Sequence, residues 1–141
     1  RACGVHAYVA LWNVSSIRVS AAFVEASLLP QPLYGGIVLS EDGLLAGNPG
    51  TVRGLEAMAD FIPSDCQLHW SVMCVGGNLF PLVGATLERG GHIAIGLGDY
   101  PYSELGTPRN ADLVERVAQM AREMGREIAS PAESRHTLEV N

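Results

Sequence analysis

No lysine occurs anywhere in the 141 residues, so all nine basic side chains are arginine. That absence removes whole classes of chemistry. A Schiff-base aldolase, a pyridoxal-phosphate enzyme and a P-loop nucleotidase each need a lysine. Cysteine is scarce and odd in number: Cys3, Cys66 and Cys74 form no C-x-x-C pair and have no histidine at ligand spacing. They read as reduced, buried thiols of a cytoplasmic protein rather than as a disulfide framework or a metal site. Long apolar runs are also missing. Nothing approaches the roughly 20 residues of a membrane span, and the start, RACGVHAYVALWN, places one arginine before a strand-like segment. The expectation is no signal peptide and no membrane anchor. The net charge is −6, and the arginines are scattered without interleaved aromatics, which argues against a nucleic-acid surface.

What is present is apolar periodicity. Four segments, VHAYVALW, LYGGIVLS, LHWSVMCVG and HIAIGLG, have the near-continuous apolar character of strands covered on both faces. The sequence predicts strands near 5–12, 33–40, 67–75 and 91–97, spaced as in β/α units, with helices near 16–28, 51–62, 79–89 and 110–124. Ser15 and Ser16, Thr51 and Asn110 are the expected caps of the first, second and fourth helices. The expected core contacts are Ile17, Phe23 and Leu28 or Leu29, then Leu55, Met58, Phe61 and Ile62, then Leu113, Val117, Met120, Ala121 and Met124. Ser130 followed by Pro131 opens a short terminal helix near 131–138. The whole reads as a single α/β domain over residues 1–141.

In repeated β/α architectures ligands bind at the carboxyl ends of the strands, which narrows the candidates. Asn13 either orients a substrate carbonyl or carboxylate or caps the helix that follows it. Gly76, Gly77 and Asn78 either cradle an anion with free N–H groups or form a tight turn. Glu41 and Asp42, in SEDG, read as a solvated turn. His6, His69 and His92 read as strand residues hydrogen-bonded in the core, and His136 as a surface residue. Asp99, between Gly98 and Tyr100, is the best single candidate. A lone carboxylate at a strand end suits a general base, although composition and spacing alone slightly favour a turn.

The stretch GGHIAIGLGDYPYSELGTPRNADLVERVAQMAREMGREIASPAESRHTL, with LPLYGGIVLSEDG and LFPLVGATL before it, resembles the 3-keto acid cleavage enzymes, the family of 3-keto-5-aminohexanoate cleavage enzyme. The resemblance implies four β/α units forming the C-terminal half of a (β/α)₈ barrel. It also implies exchange of acyl groups between a 3-keto acid and acetyl-CoA by a retro-Claisen route, giving acetoacetate and a new acyl-CoA. In that family a divalent metal, usually zinc, polarises the keto oxygen. The family's last strand typically ends H-V-R-V-G-L-E-D. Against it His92 and Gly96 match, Asp99 stands for the catalytic aspartate, Ala94 replaces the arginine and Gly98 replaces the metal-binding glutamate. The chain contains no His-x-His, so no metal is expected for this chain alone.

The residue assignments that follow are Asp99 as catalytic group and Asn13, Gly76, Gly77, Asn78 and Tyr100 as substrate contacts. The alternatives are a non-catalytic half-barrel that binds a small carboxylate or assembles with a partner chain, and a flavodoxin-like doubly wound sheet that binds phosphates at Gly76, Gly77 and Asn78, which fits the order of elements but none of the motif matches. In either half-barrel reading the open sheet predicts a complementary half-barrel or a homo-oligomer, with Val9, Val38, Val72 and Ile95 facing the barrel interior.

Overall fold

A computed structural model describes residues 6–41 and 43–139. Residues 1–5, with Cys3 and the start of the predicted first strand, lie outside the described residues, as do Asp42 and residues 140–141. Strands form where β-branched and other apolar residues run together: β1 (Tyr8–Leu11), β2 (Leu33–Ser40), β3 (Leu68–Val75) and β4 (His92–Ile93). Between and after them lie α1 (Val14–Glu25), α2 (Val52–Ala59), α3 (Val83–Glu88), α4 (Asn110–Glu123) and α5 (Pro131–Thr137). All pairings are parallel and the spatial order is β1-β2-β3-β4. The order never reverses. A doubly wound sheet requires such a reversal, so this architecture is that of consecutive β/α units each laid beside the last.

Helices α1 and α2 and the segment leading into α3 pack on one face of the sheet. Leu11, Ile37, Leu39, Trp70, Val72 and Cys74 from the strands pack with Ile17 of α1, Leu55 and Met58 of α2, and Leu79 and Leu82. A second cluster, around Phe80, Val83, Leu87, Tyr102, Leu113 and Ala121, seats α4 against α3. Val9 and Ile95 also pack on the helix side, against the first cluster. Of the four residues expected to face a barrel interior, three therefore point the other way, and only Val38, one register step from Ile37 and Leu39, belongs to the opposite face. On that face Tyr8, Tyr34 and His69 stand level, and the Tyr8 hydroxyl passes over Gly36 to within 3.4 Å of Ser71 Oγ.

Several local expectations are corrected. Asn13, not Ser15 or Ser16, caps α1: its Oδ1 accepts from Ser16 N–H at 2.9 Å, and Ser16 Oγ accepts in return from Asn13 N–H. Leu28 and Phe61 stay largely exposed because they lie past the ends of α1 at Glu25 and α2 at Ala59, and Phe23, although inside α1, is exposed as well. Met124 lies past the end of α4 and is exposed as well. The third helix begins as a 3₁₀ turn, Phe80–Leu82. Predicted strand 91–97 shrinks to His92–Ile93, with Ala94 N–H making one more ladder bond to Val72 O at 2.9 Å. Beyond that the backbone donors go elsewhere: Leu97 N–H donates to Asn110 Oδ1 at 2.8 Å. Asn110 is thereby committed, and Arg109 occupies the cap position of α4, with Asp112 accepting its N–H at 2.8 Å. His6 and His92 are exposed rather than core residues.

Candidate active site at the carboxyl ends of the strands

The loop that follows β4 carries Asp99 back to the end of β3. Gly76, at φ +79, uses its N–H to bond the Asp99 carbonyl at 2.8 Å, a geometry that a residue with a Cβ would strain. Asp99 is half-buried, and that burial raises its carboxyl pKa above the ordinary value, bringing it nearer the range of a working base. The Asp99 carboxylate acts electrostatically on the Cys74 thiol and the Tyr102 hydroxyl.

The other assigned contacts are placed at the same end but are largely occupied. Asn78 Oδ1 accepts from Phe80 N–H at 2.9 Å, and its amide nitrogen donates to Glu104 Oε1 at 2.7 Å. Gly77 N–H donates toward Cys74 Sγ. With Gly76 N–H bonded to Asp99, the pair forms a closely packed turn whose donors face protein acceptors. Asn13 Oδ1 is taken by its own helix. Tyr100 stacks edge-on against Tyr102 at 4.9 Å and packs on the α3–α4 cluster.

Three residues that matter here were not legible as site residues. Glu41, in a turn-like sequence, folds inward: Oε1 accepts from Gly50 N–H at 2.7 Å, and its backbone N–H donates to Val75 O at 2.8 Å. Cys74 is 2% exposed, and burial, with Glu41 and Asp99 nearby, pushes its thiol up to about 11, so it remains protonated and is a poor nucleophile at neutral pH. Tyr102 is equally buried, and its hydroxyl accepts from Leu79 N–H at 3.3 Å. A tyrosine between prolines and glycines reads as a surface loop residue, and only the packing against Phe80 reveals it as an anchor.

The donor set does not fit a tightly held divalent metal. A stable zinc site takes three or four protein ligands. Among the described residues no three His, Cys, Asp or Glu side chains converge on one point, and Gly98 opens onto empty space.

Parallel β/α units with helices packed on the sheet define an α/β protein. Residues 1–140 match the model of the beta-keto acid cleavage enzyme family, and the chain belongs to that family. It is 29% identical over 140 residues to a 3-keto-5-aminohexanoate cleavage enzyme of Acetoanaerobium sticklandii, covering 98% of this chain and 50% of that protein. A protein of the same name from Fusobacterium nucleatum is 29% identical, with 96% and 48% covered. A 3-dehydrocarnitine:acetyl-CoA trimethylamine transferase of Rhizobium meliloti is 26% identical, with 99% and 45% covered. The chain spans about half the length of these curated relatives.

Proposed function

We propose that this chain is the carboxyl-terminal half of a (β/α)₈ barrel and supplies Asp99 to a retro-Claisen acyl exchange. The reaction would convert a 3-keto acid and acetyl-CoA into acetoacetate and a new acyl-CoA. The single observation that carries this reading is Asp99 held at the carboxyl end of the sheet, in a chain of the beta-keto acid cleavage family. Two relatives named for 3-keto-5-aminohexanoate cleavage and one named for transfer with acetyl-CoA support the substrate class. In chemical terms Asp99 takes a proton from the carbon between the keto group and the carboxylate. The resulting carbanion attacks the carbonyl of acetyl-CoA and the acetyl C–S bond breaks, releasing CoA thiolate. The thiolate attacks the original keto carbon, the bond from that carbon to the central carbon breaks, and Asp99 returns the proton to the central carbon, so that atoms balance without a redox step.

A complementary half-barrel, contributed by another polypeptide segment or by a second copy, completes the pocket. Zinc belongs to the complete family barrel, and this half on its own holds none tightly, since Gly98 offers no ligand. The free thiols Cys66 and Cys74 suit a reducing cytoplasm. Among the described residues no helix is long and apolar enough to cross a membrane.

A second reading, a non-catalytic half-barrel that binds a small carboxylate or assembles with a partner, is favoured by Ala94 and Gly98 in place of the family's charged residues. Incubation of the purified protein with acetyl-CoA and a panel of 3-keto acids separates the two. Acetoacetate formation that falls about 100-fold or more in a folded Asp99→Asn variant supports catalysis. No product with any 3-keto acid supports the second reading, and one chelation-resistant zinc per chain by elemental analysis would overturn the metal statement.

A further inference from the structure

We propose that the turn at Gly76 and Gly77, seated on the sulfur of Cys74, is the positioning device for Asp99. The inference rests on Asp99 being the reactive group and goes further by naming what sets its place. Gly76 fastens the Asp99 backbone to the end of β3 through the 2.8 Å bond. Gly77 decides where that fastening sits. A Cβ at Gly77 would lie 2.7 Å from Cys74 Sγ and 2.9 Å from Glu41 Cγ, so the turn rests on the sulfur with no room for one more carbon. The same sulfur faces the other loop: a Cβ at Gly50 would lie 2.6 Å from it, and Gly50 N–H is the group that holds Glu41. Cys74 is thus wedged between the loop after β2 and the turn that carries Asp99. Its role is steric, and Gly77 and Cys74 are positioning residues. The close approach, rather than an anion cradle, accounts for the glycine at 77, whose N–H already faces the sulfur.

A methyl group at 77 should lift the turn and take Asp99 with it, and removing the sulfur should make room again. The test is hydrogen exchange, residue by residue, in the wild type, Gly77→Ala, Cys74→Ala and the double variant. Ala94 N–H, bonded to Val72 O on the neighbouring strand, serves as the internal reference. In Gly77→Ala the Gly76 amide should exchange about tenfold faster while Ala94 stays within about twofold. In Gly77→Ala/Cys74→Ala, Gly76 should return to within about threefold of wild type. Unchanged Gly76 exchange, equal acceleration at Gly76 and Ala94, or no recovery in the double variant would each overturn the proposal. In acyl-exchange assays Gly77→Ala should lower kcat and leave KM in place, with kcat recovering in the double variant. Absence of acyl exchange in the wild type would defeat the catalytic reading, while the exchange pattern would still decide the positioning claim.

Discussion

Asp99 carries a cost that can be measured without any substrate. Burial raises its carboxyl above the ordinary 3.8, so the folded protein binds this proton more tightly than the unfolded chain does. The sign follows from linkage: the residue's contribution is fully present below the unfolded value and is lost as pH rises through the folded one. Asp99→Asn removes the charge at nearly constant volume. Its expected effect is a higher Tm than wild type at pH 7, with the difference closing as pH falls below about 3.8, checked by thermal melts across the pH range. A variant that is equally stable at pH 7 would show that the burial carries no penalty. Asp112 runs the opposite way. The Arg109 guanidinium and backbone N–H pull its carboxyl down to about 2, which contributes stability above its unfolded value, but the pair is exposed and its effect small. Because Asp112 is unchanged in Asp99→Asn, the comparison isolates Asp99.

The elements show where local chemistry was sufficient. α2 begins where Thr51 Oγ1 accepts from Gly54 N–H at 3.0 Å, as the NPGT sequence predicts, and Leu55 and Met58 turn inward from it. The terminal helix starts at Ser130 with a reciprocal bond to Glu133, again as expected. Thr51→Ala leaves an orphan N–H at the start of an eight-residue helix whose inner face is part of the main core. The expected loss is about 1 kcal/mol, read as a lower midpoint in urea at unchanged slope. A midpoint equal to wild type would mean that the packing of Leu55 and Met58 alone holds the first turn. The caps of α1 and α4 were harder to read because several polar residues compete within a few positions. Asn13 and Ser16 cap each other reciprocally, and Asn110 is drawn away by Leu97 N–H, a partner thirteen residues distant.

At the scale of the molecule, the sheet of the described residues ends at β1 on one side and β4 on the other, with its main core on one face. Several large apolar side chains are exposed. Val19 and Phe23 lie one turn apart on α1, Val114 stands on α4, and Leu45 in the loop after β2 is 96% exposed. Each 100 Å² of apolar surface left in water forgoes roughly 2.5 kcal/mol, a large share of a domain's stability. The expectation is that the chain associates, either with a complementary half-barrel or with itself. Light scattering checks it: a mass well above that of a 15.0 kDa chain is the expected result. A monodisperse monomer that unfolds cooperatively would overturn the half-barrel reading and favour a compact flavodoxin-like sheet.

The chain's own sequence determined the alternation of strands and helices and the α/β class, because these rest on periodicity whose physics is local, and its motifs carried the family resemblance. It placed Asp99 after the fourth strand, and the structure carries that residue back to the end of β3. The sequence also leaves these 141 residues without a lysine to supply. Only the tertiary structure decided which way each strand faces, since a shift of one residue inverts every side chain and the apolar runs are covered on both sides. That is why Val9, Val72 and Ile95 were assigned to the wrong face. The length of β4 was decided the same way, by a competing acceptor on a distant helix. Glu41, Cys74 and Tyr102 gained their roles from contacts across three loops, which no spacing within one segment encodes.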